Sequence, residues 1–295
     1  MSEYAPPKWQ KLLSYFSGWL SVVAWQTFVV IDASIIAGVM QSLIQLQHSA
    51  YTMPRWQGTL LIIAAAIAIA AFNIFLARQL PNCEGLFATF HFFAFVPIVV
   101  GLFILSPNRS AYDVFFDFSV DDGHWHNTGL SVLVGQVSNM FVVLGSDGVA
   151  HLAEEIEDAG VNLPQGMVWS YSINAPLSLL MVLAYLFSIK SVEEGLKARM
   201  PFVAAFSDAF GVIDATVGFT LVVLGSVSVV AVSALASTSR IMFAFARDKG
   251  LPYSQWLSTV DSRFDVPVNA ILSTTAFAIC MSLINLGSSV AFEGK

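Results

Sequence analysis

The sequence predicts an all-α polytopic membrane protein of about seven transmembrane helices. Three observations predict it. Hydrophobic residues make up 56% of the 295 and charged residues only 11%, where a soluble domain carries roughly 25% charged residues. The apolar residues gather into seven blocks, most close to the ~20 residues that cross a bilayer as a helix. One block stops on two glycines around an acid, Gly145-Ser146-Asp147-Gly148, where spans usually end on basic or aromatic anchors.

Each element follows in order. Residues 1–14 form a polar segment, expected in the cytosol. The first block, 15–44, is too long for the apolar region of a cleavable signal and reads as an uncleaved anchor. Asp32 lies near its middle. The second block is 59–77 and the third 85–105, with Cys83 in the short connector between them. The connector 106–129 holds Asp113, Asp117, Asp121 and Asp122 and reads as an exposed flap. Its Asn108-Arg109-Ser110 triplet is read as an unmodified glycosylation motif. The fourth span, 130–157, is expected to break near 145–148. The fifth is 167–189. The connector after it contains an amphipathic stretch, 201–210, expected as a short interfacial helix. The sixth span is 214–240. A polar connector follows, broken by Gly250 and Pro252. The seventh span is 268–287, and 288–295 is a short tail. The spans 15–287 are read as one transmembrane domain.

Composition also excludes functions. The net charge of −7 provides no basic face for nucleic acid. Cys83 and Cys280 are the two cysteines; no disulfide is expected, and no spacing fits a metal ligand set or another cofactor. No Ser/His/Asp or Cys/His constellation can be assembled, so an enzyme is not expected.

The break carries the functional reading. Backbone groups freed by a broken helix exist at membrane depth only where they line a cavity or a ligand. Short or glycine-interrupted spans point to the binding site of secondary transporters. Gly145, Ser146, Asp147 and Gly148 are therefore candidate substrate-binding residues. The glycines are expected to supply positive φ and close backbone approach. Asp147 is expected to hold a cationic group or exchange a proton; it also suits an N-cap for a half-helix from Val149. Asn139 and Phe141 precede the break and would line the same pocket. Carboxylates at membrane depth are usually functional, so Asp32 is a further candidate, with Trp25 and Phe28 placed to offer cation–π contact. Ser228 and Ser233 on the sixth span are candidates for ion coupling. His91 on the third is a candidate for proton coupling, because histidine titrates near neutral pH.

Two motifs name a family. The first runs G-S-D-G-V-A-H-L-A-E-E-I-E-D-A-G-V-N-L-P-Q-G-M-V-W-S over residues 145–170. The second runs S-T-S-R-I-M-F-A-F-A-R-D-K-G-L-P-Y-S-Q-W-L over residues 237–257, followed by Pro267-Val268-Asn269-Ala270. With Leu13-Ser14-Tyr15, Gly18-Trp19-Leu20 and Arg55-Trp56-Gln57-Gly58-Thr59-Leu60, the chain resembles the amino acid–polyamine–organocation superfamily of permeases. The branch it looks most like is that of fungal permeases for amino acids, 4-aminobutyrate and choline. The resemblance implies part of a ten-to-twelve-span inverted-repeat fold, aligned from the third span to the ninth. It implies proton-coupled transport of an amino acid or small amine, with the lipid bilayer as surroundings and no cofactor. His91 resembles the position of a lysine thought to replace a sodium ion in bacterial relatives. The resemblance also makes a truncated, transport-incompetent remnant, or a partner of full-length permeases, an alternative expectation. A seven-helix receptor is suggested by the count alone, and the break speaks against it. The plasma membrane is the expected location, with vacuolar or other endomembranes as alternatives.

Orientation follows from the basic residues. With a cytosolic N-terminus, inside segments carry Lys8, Lys11, Arg78, Arg240, Arg247, Lys249 and Arg263. The tight cluster after the sixth span favours that placement. Asn108 is then expected outside.

Overall fold

The computed structural model describes residues 4–48, 50–106, 109–117, 127–141, 144–153, 156–190, 195 and 198–287. They are helical, with no strand among the described residues. The helices are α1 (Gln10–Gln47), α2 (Arg55–Phe75), α3 (Leu80–Leu105), α4 (Ala111–Phe115), α5 (Thr128–Met140), α6 (Ala159–Ser188), α7 (Pro201–Phe210), α8 (Ile213–Arg247), α9 (Ser254–Leu257), α10 (Val268–Ser282) and α11 (Ile284–Gly287). Among the described residues six helical segments are long and apolar enough to cross a membrane: α1, α2, α6, α8, α3 with the 3₁₀ turn before it, and α10 with α11. The chain is an integral, multi-pass membrane protein.

The remaining apolar block behaves differently. It forms α5, only 13 residues long, roughly 20 Å at 1.5 Å per residue and short of a ~30 Å hydrocarbon core. The helix stops at Met140, a few residues before the glycines.

Two further boundaries differ from the sequence reading. Cys83 lies within α3 rather than in a connector, because α3 starts at Leu80 with Pro81 in its first turn, where a missing N–H costs nothing. His91 is therefore about three turns into the helix. In the same way α6 starts at Ala159, earlier than the expected 167. Asp158 precedes it at φ 48, a left-handed conformation that stops a helix from running in from the N-terminal side.

By contacts the chain forms two compact units, Met1–His91 with Leu221–Lys295, and Phe92–Thr220. In the first unit α1 packs on α2 and α10, and α2 packs on α10 and α11. Its core is small and branched: Val22, Val29, Ala33 and Ile36 meet Ile62, Ala66, Ile69, Ala231, Leu235 and Ile271. Small residues let helix backbones approach closely where lipid offers no hydrophobic drive. Polar side chains tie the helices. Asn73 donates to the Val232 carbonyl at 3.0 Å, Thr238 to the Trp25 carbonyl at 3.1 Å, and Gln26 to Thr274 Oγ1 at 3.0 Å.

In the second unit α6 packs on α7, on α4 and on a turn at Gly148–Leu152. Phe206 and Phe210 of α7 meet Phe219, the latter pair stacked with centroids 4.6 Å apart. A Cβ at Gly101 would lie 2.8 Å from the Phe210 ring, so α7 seats directly on the backbone of α3. The expected interfacial stretch is helical over Pro201–Phe210 and ends at Gly211, φ 64.

Candidate functional site

The break lies wholly in the second unit. After Met140 the chain turns repeatedly. Leu144 N–H reaches the Phe141 carbonyl at 3.4 Å, Gly148 N–H the Gly145 carbonyl at 2.9 Å, and Ala150 N–H the Asp147 carbonyl at 2.9 Å. Gly145 has φ 91, a conformation that costs an L side chain energy and glycine almost none. Gly148 adopts no such φ; it begins a five-residue 3₁₀ helix, Gly148–Leu152. The expected α half-helix from Val149 is thus a 3₁₀ turn.

Asp147 sits at the N-terminus of that turn without making a side-chain cap. Its carboxylate instead lies 3.4 Å from His151 Nε2, four residues on. The Asp147 side chain is about half exposed (55%) and that of His151 less so (24%). A carboxylate beside an imidazole, at a 3₁₀ turn rather than on a continuous α-helix, can hold an ammonium group or pass a proton. Asn139 and Phe141 lead into the turn and are exposed in the chain, as are Gly145 and Asp147, while Ser146 and Gly148 are half-buried. Glu154 and Glu155 lie outside the described residues, as do Asn108, Asp121 and Asp122.

The other sequence candidates lie in the first unit. Asp32 is 5% exposed, on the buried stripe of α1 between Val29 and Ile36, and its Oδ2 has no hydrogen-bond partner among the described residues. Trp25, two turns earlier, is also buried, with its ring 5.6 Å from that of Phe28. His91 is exposed. Ser228 donates to its own helix at Leu224, 2.7 Å. Ser233 does not: it donates to Glu84 Oε1 of α3 at 2.7 Å.

Glu84 and His151 escaped the sequence reading. Glu84 fell in what read as a connector, because the start of α3 was placed one turn too late. His151 carried a usable signal, since i and i+4 share a face of an α-helix, the element expected from Val149. Among the described residues no group of His, Cys, Asp and Glu could hold a metal.

Comparison with known proteins agrees with this architecture. The sequence model of the amino acid permease family matches residues 1–293. A Macrophomina phaseolina protein provisionally named an amino acid/polyamine transporter is 26% identical over 98% of this chain and 64% of its own length. The amino-acid permease BAT1 of Arabidopsis thaliana is 26% identical over 98% of this chain and 59% of its own. A choline transporter of Saccharomyces cerevisiae is 25% identical over 98% of this chain and 52% of its own. The chain spans about half to two thirds of the length of these relatives. A profile match over nearly every residue, on a helical membrane architecture with an interrupted helix, leaves one assignment: the chain belongs to the amino acid permease family, within the amino acid–polyamine–organocation superfamily.

Proposed function

We propose that this chain supplies the solute-handling core of a proton-coupled permease for an amino acid or a small amine of the 4-aminobutyrate or choline type, at the plasma membrane. The observation that carries the reading is the interruption between α5 and α6. There Gly145 turns the backbone through φ 91 and Asp147 presents its carboxylate beside His151. Such an interruption is tolerated within a bilayer where it lines a cavity or a ligand. The names of the relatives, amino-acid permease and choline transporter, support the solute class: both kinds of solute carry a cationic nitrogen that a carboxylate can receive.

Asp147 receives that nitrogen, with Gly145, Ser146 and Gly148 offering backbone groups and Asn139 and Phe141 shaping the approach. Asp32 and Trp25 form a second cation-favouring stretch on α1. His91, Ser228 and Ser233 serve the coupling proton. The test is uptake of labelled 4-aminobutyrate, choline and neutral amino acids into permease-deficient yeast that makes the protein as its gene encodes it. Asp147→Asn is expected to lower saturable uptake at least tenfold at equal surface expression. Unchanged uptake by that variant removes the break from the site. Uptake is expected to rise as external pH falls and to collapse with a protonophore; indifference to both removes the proton.

A further inference from the structure

Where α6 ends and α7 begins, the second unit carries a half-open cavity of about 220 Å³. It is lined by Tyr185, Ile189, Lys190, Ala204, Ala205 and Asp208, among others. Lys190 Nζ and Asp208 Oδ1 stand 2.9 Å apart at this cavity, both partly exposed. A half-exposed pair of this kind contributes little to stability, so folding alone gives weak reason for two opposite charges on this small hollow.

The walls are held from both sides. Ser188, at the end of α6, donates to the Leu102 and Ala184 carbonyls and accepts from Ser106 at 3.2 Å. Arg109 N–H bonds the Phe187 carbonyl at 3.0 Å. On the other side Val203, Ala205, Phe206 and Ala209 of α7 are buried, and Phe210 is seated against Gly101 of α3. Lys190 and Asp208 are thus carried by two elements that are each pinned to α3. Preorganisation of this kind reduces the ordering cost of binding.

We propose that this cavity binds a zwitterionic α-amino acid, Asp208 receiving its ammonium and Lys190 its carboxylate. An α-amino acid carries both charges on one carbon and so presents to the pair its own complement, head to tail. The volume is below the ~300–1,000 Å³ of drug-sized pockets and suits a small solute. The apolar patch of Ile189, Ala204 and Ala205 accepts an aliphatic side chain. Choline has no carboxylate for Lys190 and is excluded. The inference rests on the amino-acid half of the proposed solute class and is independent of the break.

The experiment measures binding of labelled alanine, leucine and choline to the purified protein in lipid nanodiscs. It uses the Asp147→Asn background, so that the break does not contribute. Alanine and leucine are expected to bind and choline not. Lys190→Gln and Asp208→Asn are each expected to weaken amino-acid binding at least tenfold without moving the thermal midpoint by more than a few degrees. Should either variant fail to fold, Ala204→Leu fills the hollow without touching the pair and is expected to abolish binding. Equal amino-acid binding in all three variants, or choline bound as well as leucine, overturns the proposal. Binding that depends on Lys190 in a protein whose uptake ignores Asp147 sustains this site and refutes the reading of the break.

Discussion

At the residue scale, Gly145 and Ser233 make separable predictions. A Cβ at Gly145 would meet no neighbour within 4 Å, so the cost of Gly145→Ala is purely conformational. At φ 91 an L residue costs roughly 1–2 kcal/mol. We expect the thermal midpoint to fall by a few degrees and uptake to fall with it, because the turn that presents Asp147 is re-aimed. An unchanged midpoint would show that the backbone relaxes to negative φ. Ser233→Ala removes the donor to the half-buried Glu84 Oε1, and the loss of one such hydrogen bond costs about 0.5–1.5 kcal/mol. Ser228→Ala removes only a bond within its own helix and is expected to be nearly silent. Chemical or thermal unfolding of the two variants side by side tests the contrast. The sequence singled out both serines alike, because residue type alone cannot tell a hydroxyl that folds back on its helix from one that reaches across.

At the scale of elements, the second family motif turns out to touch the Gly18-Trp19-Leu20 segment of the first helix. Phe245, from the second, lies between Gly18 of the first helix and Gly250 of the connector. A Cβ would fall 2.4 Å from its ring at Gly18 and 2.2 Å at Gly250. Trp19 meets the ring edge-on at 6.2 Å and Tyr15 at 6.0 Å, so the ring is confined on several sides. Gly18→Ala is therefore overpacked and expected to destabilise by about 1–3 kcal/mol. Phe245→Leu should recover part of that loss in the double variant, and the cycle of thermal midpoints measures it. Additive effects would mean that the ring escapes. Both segments were visible in the sequence, but their meeting was not. It joins residues more than two hundred positions apart, and neither periodicity nor spacing encodes which helices become neighbours. The starts of α3 and α6 were missed for a more local reason. Pro81 falls in the first turn of α3, where a proline is well tolerated, and Pro164 lies inside α6. The apolar blocks mark where lipid is, whereas helices extend past it.

At the scale of the whole molecule, hydropathy made the architecture legible because lipid leaves the backbone few alternatives. Large apolar side chains such as Phe93, Ile104, Leu86, Leu133 and Trp169 are exposed in the chain, as the surface of a helical membrane protein requires. Orientation is less constrained, since basic residues fall on both sides in comparable number and the cluster Arg240, Arg247, Lys249 and Arg263 has to outweigh the others. That cluster lies at the end of α8 and in the connector after it. Lys249 adopts φ 60 just past the C-terminus of α8, where a cation also complements the helix dipole. We expect this end to be cytosolic. Single cysteines at Lys249 and Tyr112, introduced after Cys83→Ser and Cys280→Ser, decide it with a membrane-impermeant maleimide. Tyr112 is exposed on α4, beyond the far end of α3, and should react in intact cells. Lys249→Cys should react only after permeabilisation. Labelling of position 249 from outside inverts the topology, and with it the side from which solute would reach Asp147.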